Sequence, residues 1–196
     1  MIIGITGGTG CGKTTALSAV LALGGKVLEC DAIYHRLLET DEELLFAIEN
    51  AFPGVVEQGV LNRKKLGSLV FHNENALKLL NGITHKRIKQ AVLGELKDGN
   101  KLVAIDAIAL FESGLNTLCD VTVAITAPED VRIQRIMARD GISFDYAKSR
   151  IDAQPSQEAF AKKCDYILEN DTTEAAFHSK CIAFFKQIAI IKETQQ

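Results

Sequence analysis

The sequence predicts an α/β protein: a single domain over residues 1–196, built on a doubly wound, five-stranded parallel sheet that carries a helical insertion and a second, mobile excursion. Three observations predict it. Short β-type runs recur at Ile2–Thr6, Lys26–Cys30, Leu102–Asp106, Val121–Thr126 and Tyr166–Leu168, with helical patterns between most of them, the arrangement that parallel strands require. The crossover from Asp31 to Leu102 spans roughly 70 residues, far more than one connecting helix needs. Gly7-Gly8-Thr9-Gly10-Cys11-Gly12-Lys13-Thr14 lies between the first strand run and the helical pattern that follows it.

Taken in order, Ile2–Thr6 reads as a buried strand at the start of the chain, with neither the basic start nor the long apolar stretch of a signal peptide. The helix after it shows Leu17, Val20 and Leu21 on one face. Within the long crossover, Asp41–Phe52, Arg63–Phe71 and Asn73–Lys97 read as helices separated by Pro53-Gly54 and Gln58-Gly59 turns, and residues 41–98 are expected to form a helical substrate-binding insertion. Residues 135–163, polar and charge-rich between the fourth and fifth strands, are expected to form a lid. Phe177, Cys181, Phe184, Ile188 and Ile191 give the last helix an apolar stripe, read as core.

Composition excludes several classes. Apolar residues make up 47% and charged residues 24%, with only three prolines, which fits a globular chain and not a disordered or fibrous one. A net charge of −3 provides no global positive field for a nucleic acid backbone or an anionic membrane, so any phosphate recognition is local. The longest apolar segment, Leu102 to Phe111, contains Asp106 and falls short of the ~20 residues of a membrane helix. Five scattered cysteines without a C-x-x-C pair predict neither zinc nor a redox motif and fit a soluble protein of the reducing cytoplasm. His35, His72 and His178 show no ligand spacing. Oligomeric state is not legible.

The glycine-rich segment matches G-x-x-x-x-G-K-[ST] in full and in context. Glycines let the backbone curl so that successive N–H groups face phosphate oxygens, and the helix starting near Lys13 adds its positive end. Gly10, Cys11, Gly12, Lys13, Thr14 and Thr15 are therefore expected to bind ATP, Lys13 reaching the β- and γ-phosphates and Thr14 offering its hydroxyl to Mg2+. Cys11 is read either as a redox switch or as a small side chain tolerated on the loop. A switch GTPase would carry D-x-x-G and N/T-K-x-D, and neither pattern occurs. A kinase remains.

Two carboxylates close strand runs. Asp31 follows Lys26–Cys30 and Asp106 ends Leu102–Asp106, which places both at the carboxyl edge of the sheet. Asp31 is read as the group that accepts the acceptor hydroxyl's proton, or as a helix N-cap. Asp106 is read as a metal-shell or substrate-side carboxylate, or as an N-cap or loop hydrogen-bonding residue.

On these residues the sequence resembles the dephospho-CoA kinases over most of its length. The likeness rests on Gly4 to Thr15, Cys30-Asp31-Ala32-Ile33, Leu110-Phe111-Glu112, Arg139-Asp140-Gly141-Ile142-Ser143 and Arg150-Ile151-Asp152-Ala153-Gln154. The resemblance implies a P-loop NTPase core, a coenzyme-binding insertion, a lid whose arginines close on ATP, and phosphorylation of the ribose 3′-hydroxyl of dephospho-CoA. It implies Asp31 as base, Arg139 and Arg150 as lid arginines, Asn170 near the adenine, and His85, Asp106, Phe111 and Glu112 on the substrate side. Taken without it, Arg135 and Arg139 read as a solvated helix face, Arg150 as a surface charge and His85 as a helix histidine. The rival readings are a kinase of another small alcohol or nucleotide, and a poorly active nucleotide-binding relative. The chain departs from the family pattern at His85-Lys86, where a proline usually follows the histidine, at Ile108-Ala109-Leu110, where a proline usually precedes the Leu-Phe-Glu run, and at Asp171-Thr172-Thr173, where a glycine is usual.

Overall fold

The computed structural model describes residues 1–71, 73–99 and 101–194, with the side chains of 98 and 191–194 outside the described set. His72 therefore lies outside it, as does the side chain of Ile191.

In chain order the elements are β1 (Ile2–Thr6), α1 (Lys13–Ala22), β2 (Lys26–Glu29), α2 (Cys30–Thr40), α3 (Glu42–Ala51), β3 (Val56–Glu57), β4 (Val60–Leu61), α4 (Arg63–Val70), α5 (Glu74–Glu95), β5 (Val103–Asp106), β6 (Val121–Thr126), α6 (Glu129–Asp140), α7 (Phe144–Asp152), α8 (Gln157–Ala161), β7 (Tyr166–Glu169) and α9 (Glu174–Thr194). The main sheet runs β2-β5-β1-β6-β7. β1 pairs in parallel with both β5 and β6, Ile5 standing opposite Asp106 and Val123. β1, β5 and β6 are nearly continuous apolar runs, as expected of strands covered on both faces.

The chain forms two compact units. The first comprises Met1–Leu28, Gly99–Phe111 and Leu115–Gln196, the second Glu29–Asp98 with Glu112–Gly114. In the first, Ile3, Ile5, Ala16, Val20, Val123, Ile125, Phe177, Cys181 and Phe185 form the core that holds α1 and α9 on the sheet. Two details correct the helical patterns. Leu21, expected on the buried face of α1, is 56% exposed, and Ala16 and Ala19 are buried with Leu17 and Val20, small residues that let the helix lie close on the sheet. On α9 Phe177 and Phe185 are fully buried, while Phe184 is only partly buried and packs edge-on against Tyr166.

The second unit takes in α2 as well as the helices of the crossover. Its core gathers Leu38, Leu44, Ile48, Phe52, Val55, Leu61, Leu66 and Val70. Asp41 caps α3 by accepting from the Leu44 amide and also receives Arg87 of α5 in a two-point pair at 2.6 and 2.8 Å. The Gln58-Gly59 turn closes a small antiparallel hairpin, β3 with β4, and both turn residues have positive φ, 52° and 79°. That is the type I′ geometry whose twist suits a two-residue hairpin. The hairpin was not apparent in the sequence, because two-residue strands show no periodicity.

Residues 129–161, between β6 and β7, form α6, α7 and α8. Ile133, Ile136, Ala147 and Ile151 form a small core of their own there. Ser143 and Ser156 cap α7 and α8 through their hydroxyls.

Candidate active site

The glycine-rich segment joins β1 to α1, and Gly12, at φ 96°, is the cap from which α1 starts. A side chain there is excluded twice over: the backbone is left-handed, and a Cβ would lie 2.1 Å from Asn170 Nδ2. No acidic residue occupies the first turn of α1, so its positive end is not internally neutralised.

The carbonyls of the loop are all engaged by the protein. Gly7 accepts from Lys13 Nζ at 3.0 Å, Gly8 from the Cys11 amide at 3.4 Å, Thr9 from Arg132 Nε at 2.9 Å, Gly10 from Arg135 at 3.4 Å, and Cys11 from Asn170 Nδ2 at 3.0 Å. Gly12 accepts from the amides of Thr15 and Ala16. In a trans peptide the C=O and the following N–H point in opposite directions, so a carbonyl held on one side turns the next amide to the other. No backbone acceptor among the described residues takes the amides of Gly10, Gly12 or Thr14, while the Lys13 amide is directed at the Cys11 sulfur. The amides of Gly10, Gly12 and Thr14, the Lys13 ammonium and the start of α1 form an anion site beside a cleft of about 180 Å³, lined by Gly8, Thr9, Gly10, Gly12, Lys13, Thr14, Arg135 and Arg139.

Of the residues singled out in the sequence, Gly10, Gly12, Lys13, Thr14 and Arg139 thus meet in one cleft. Cys11 and Thr15 belong to the same loop but do not line the cleft. Cys11 is 1% exposed, and burial pushes its thiol pKa up against the lowering pull of Lys13 and Arg132. A thiol so placed is a poor nucleophile, which favours the small-side-chain reading over the redox switch. All five cysteines are free thiols.

Arg139 and Arg150 come together on one carboxylate. Arg139 grips Asp140 through Nε and a terminal nitrogen at 2.7 and 3.0 Å, and Arg150 reaches the same carboxylate at 2.5 Å. The guanidiniums, Arg139 foremost, hold the Asp140 carboxyl down at about 2. Both arginines remain substantially exposed, at 59% and 40%.

Asn170 is 3% exposed behind the loop, its Nδ2 on the Cys11 carbonyl and its Oδ1 accepting from Arg135 at 3.1 Å. Asp106 is half-buried at the end of β5, where its charge acts on Cys11. No helix follows it directly, so it is not an N-cap. Phe111 carries the Lys163 ammonium 5.7 Å from its ring centre.

In the second unit, Asp31 is exposed on the first turn of α2. The N-cap is Glu29, without a side-chain bond, so the capping alternative for Asp31 does not hold. His85 sits mid-way along α5, where burial lowers its pKa and the backbone and charge of Glu112 raise it. His85 and Glu112 are thereby brought together. The helix runs unbroken through His85-Lys86 because lysine, unlike proline, keeps the backbone donor.

Arg132, Gln154 and Arg135 were the residues missed, and Arg135, read as part of a solvated helix face, instead lines the cleft and donates to the Gly10 carbonyl and to Asn170. Arg132, Arg135 and Arg139 recur at i, i+3 and i+7 along α6, the spacing of one helix face, and that period is the signal that would have found Arg132. Gln154 stands in the Arg150–Gln154 run, but nothing in the sequence tells that its Oε1 accepts from the Thr9 amide at 2.7 Å.

The sequence profile of the dephospho-CoA kinase (CoaE) family matches residues 1–176. The chain belongs to the dephospho-CoA kinase family. It is 33% identical over 193 residues to a dephospho-CoA kinase of Geobacillus kaustophilus (strain HTA426), covering 95% of this chain and 96% of the relative. Among solved structures it is similar to dephospho-CoA kinase from Campylobacter jejuni, at a TM-score of 0.68 and 29% identity with 97% and 98% of the two chains covered. It is also similar to TT1252 from Thermus thermophilus, at a TM-score of 0.79 and 32% identity with 95% and 97% covered. The fold is that of the P-loop NTPases, and the chain is an ATP-dependent kinase of this family. The rival readings, a kinase of another alcohol and a poorly active relative, are not favoured.

Proposed function

We propose that the chain transfers the γ-phosphoryl group of ATP to the ribose 3′-hydroxyl of dephospho-CoA in the cytoplasm, releasing coenzyme A and ADP. The observation that carries the ATP half is the loop itself: every carbonyl from Gly7 to Gly12 is tied to an internal donor while the amides of Gly10, Gly12 and Thr14 stay available to an anion. The bond that forms is between the acceptor oxygen and Pγ, and the bond that breaks joins Pγ to the β–γ bridging oxygen. Asp31 takes the hydroxyl proton, and Lys13 leaves the Gly7 carbonyl to follow the charge on the β- and γ-phosphates.

Mg2+ fits the donors present. Among the described residues no group of three or more His, Cys, Asp or Glu is able to hold a metal alone, whereas the exposed Thr14 hydroxyl at the cleft offers one hard oxygen to an ion that arrives with the nucleotide. Bound there, the ion supplies charge neutralisation across the phosphates. Residues 135–163 act as the lid, Arg139 and Arg150 closing on the phosphates and excluding water that would otherwise accept the phosphoryl group. Asn170 serves the nucleotide site by shaping its loop. His85, Asp106, Phe111 and Glu112 are each assigned to recognition of the acceptor.

The test is ADP release from Mg-ATP with dephospho-CoA, beside a panel of small alcohols and nucleosides. ADP formed only with dephospho-CoA is the expected result, and preference for another acceptor overturns the assignment. Lys13→Ala controls for the phosphate loop and lowers kcat/KM by orders of magnitude.

A further inference from the structure

Arg132 is a guanidinium that the fold has buried, at 3% exposure, directly against the phosphate loop. Burying a cation is costly unless it is paired. Among the described residues no carboxylate is paired with it. Its Nε donates to the Thr9 carbonyl at 2.9 Å, and one terminal nitrogen is buried with no hydrogen-bond partner. That nitrogen lies so close to Gly8 that a Cβ there would stand 2.5 Å from it, and the Arg132 carbonyl would stand 2.8 Å from a Cβ at Gly10. A side chain at Gly10 would thus meet the backbone of Arg132, and one at Gly8 would displace its guanidinium.

On the other side of the same residue, Gln154 accepts from the Thr9 amide at 2.7 Å. Both backbone polar groups of Thr9 are therefore held from outside the cleft, one by α6 and one by the turn after α7. Glycines flank Thr9 on both sides, so the adjoining peptides have more rotational freedom than those of any other residue type. If the Thr9–Gly10 peptide turned over, its carbonyl oxygen would face the cleft in place of the Gly10 amide, and a triphosphate would meet a partial negative charge instead of a donor.

We propose that Arg132 is a positioning residue of the ATP site, clamping Thr9 together with Gln154 so that the Gly10 amide stays turned to the phosphates, and setting a fixed positive charge under the loop. This rests on the reading of the cleft as the ATP site. The clamp acts on nucleotide binding and not on the acceptor, which separates it from a general contribution to the fold.

The experiment compares the parent, Arg132→Met, Gln154→Ala and the double variant by calorimetric titration with Mg-ATP, steady-state KM for each substrate, and thermal melting. Expected are roughly tenfold weaker ATP binding in each single variant with an unchanged KM for dephospho-CoA. Because both side chains hold one residue, the double variant is expected within about twofold of the worse single one. ATP affinity within about twofold of the parent in a folded Arg132→Met, equal losses for both substrates, or fully additive effects overturn the proposal. If Arg132→Met does not fold, Gln154→Ala decides alone: weakened ATP binding supports the clamp, and parental affinity overturns it. A parent that binds no ATP overturns the site assignment as well, whereas a parent that binds ATP beside variants that bind it equally overturns the clamp only.

Discussion

Replacing Asn170 by alanine isolates one brace of the phosphate loop. The amide nitrogen of Asn170 is the donor to the buried Cys11 carbonyl at 3.0 Å, and its oxygen receives Arg135 at 3.1 Å. Removing both leaves a buried carbonyl without a donor, at about 1–3 kcal/mol, and forfeits a second bond to a charged group, so the loss is roughly 2–4 kcal/mol in all. For a chain of this length each kcal/mol lowers Tm by roughly 2–4 °C, which gives a drop of roughly 4–16 °C. Function responds separately. The Cys11–Gly12 peptide, released from Asn170, is free to turn its amide away from the cleft, so the KM for ATP rises while that for dephospho-CoA stays put. Thermal melting with and without Mg-ATP, combined with steady-state kinetics, reads both effects. A Tm within about 2 °C of the parent together with an unchanged ATP KM would refute the argument that Asn170 holds the loop.

Asp31→Asn removes the proposed proton acceptor with little change in size; turnover is expected to fall at least about a hundredfold while ATP affinity by titration is retained, and near-parental turnover sinks the assignment. Burial lowers the His85 pKa, so the folded state disfavours the protonated ring: the stability this confers is present above the unfolded value near 6.5 and is lost as pH falls below it. Urea midpoints should accordingly decline from pH 7 to pH 5 more steeply in the parent than in His85→Gln, and parallel declines refute the account. Cys11, buried with its pKa pushed up, should resist thiol labelling equally with and without Mg-ATP, and protection by nucleotide of a thiol that otherwise reacts would reinstate the switch.

Local chemistry by itself determined the strands and the anion site. A buried parallel strand is a short apolar run, and β1 and β6 were legible to the residue; β2 and β5 each lost one terminal residue and β7 gained one, as expected where hydrogen bonding fades at an end. The phosphate loop is legible because its function needs glycines, a lysine and a threonine consecutive in the chain, with the helix start immediately after. Asp41 and Ser143 were equally local, each capping the helix that follows it.

What only the tertiary structure decided is where side chains distant in sequence meet. Gln154 reaches Thr9 across 145 positions and Asn170 reaches Cys11 across 159, and no periodicity encodes such pairs. The same holds for His85 meeting Glu112. The residues that touch phosphate are constrained by the ligand and so cluster in the chain. Those that hold the loop from behind are constrained only by distance in the folded molecule, and for that reason the sequence names the loop but leaves its braces to the fold.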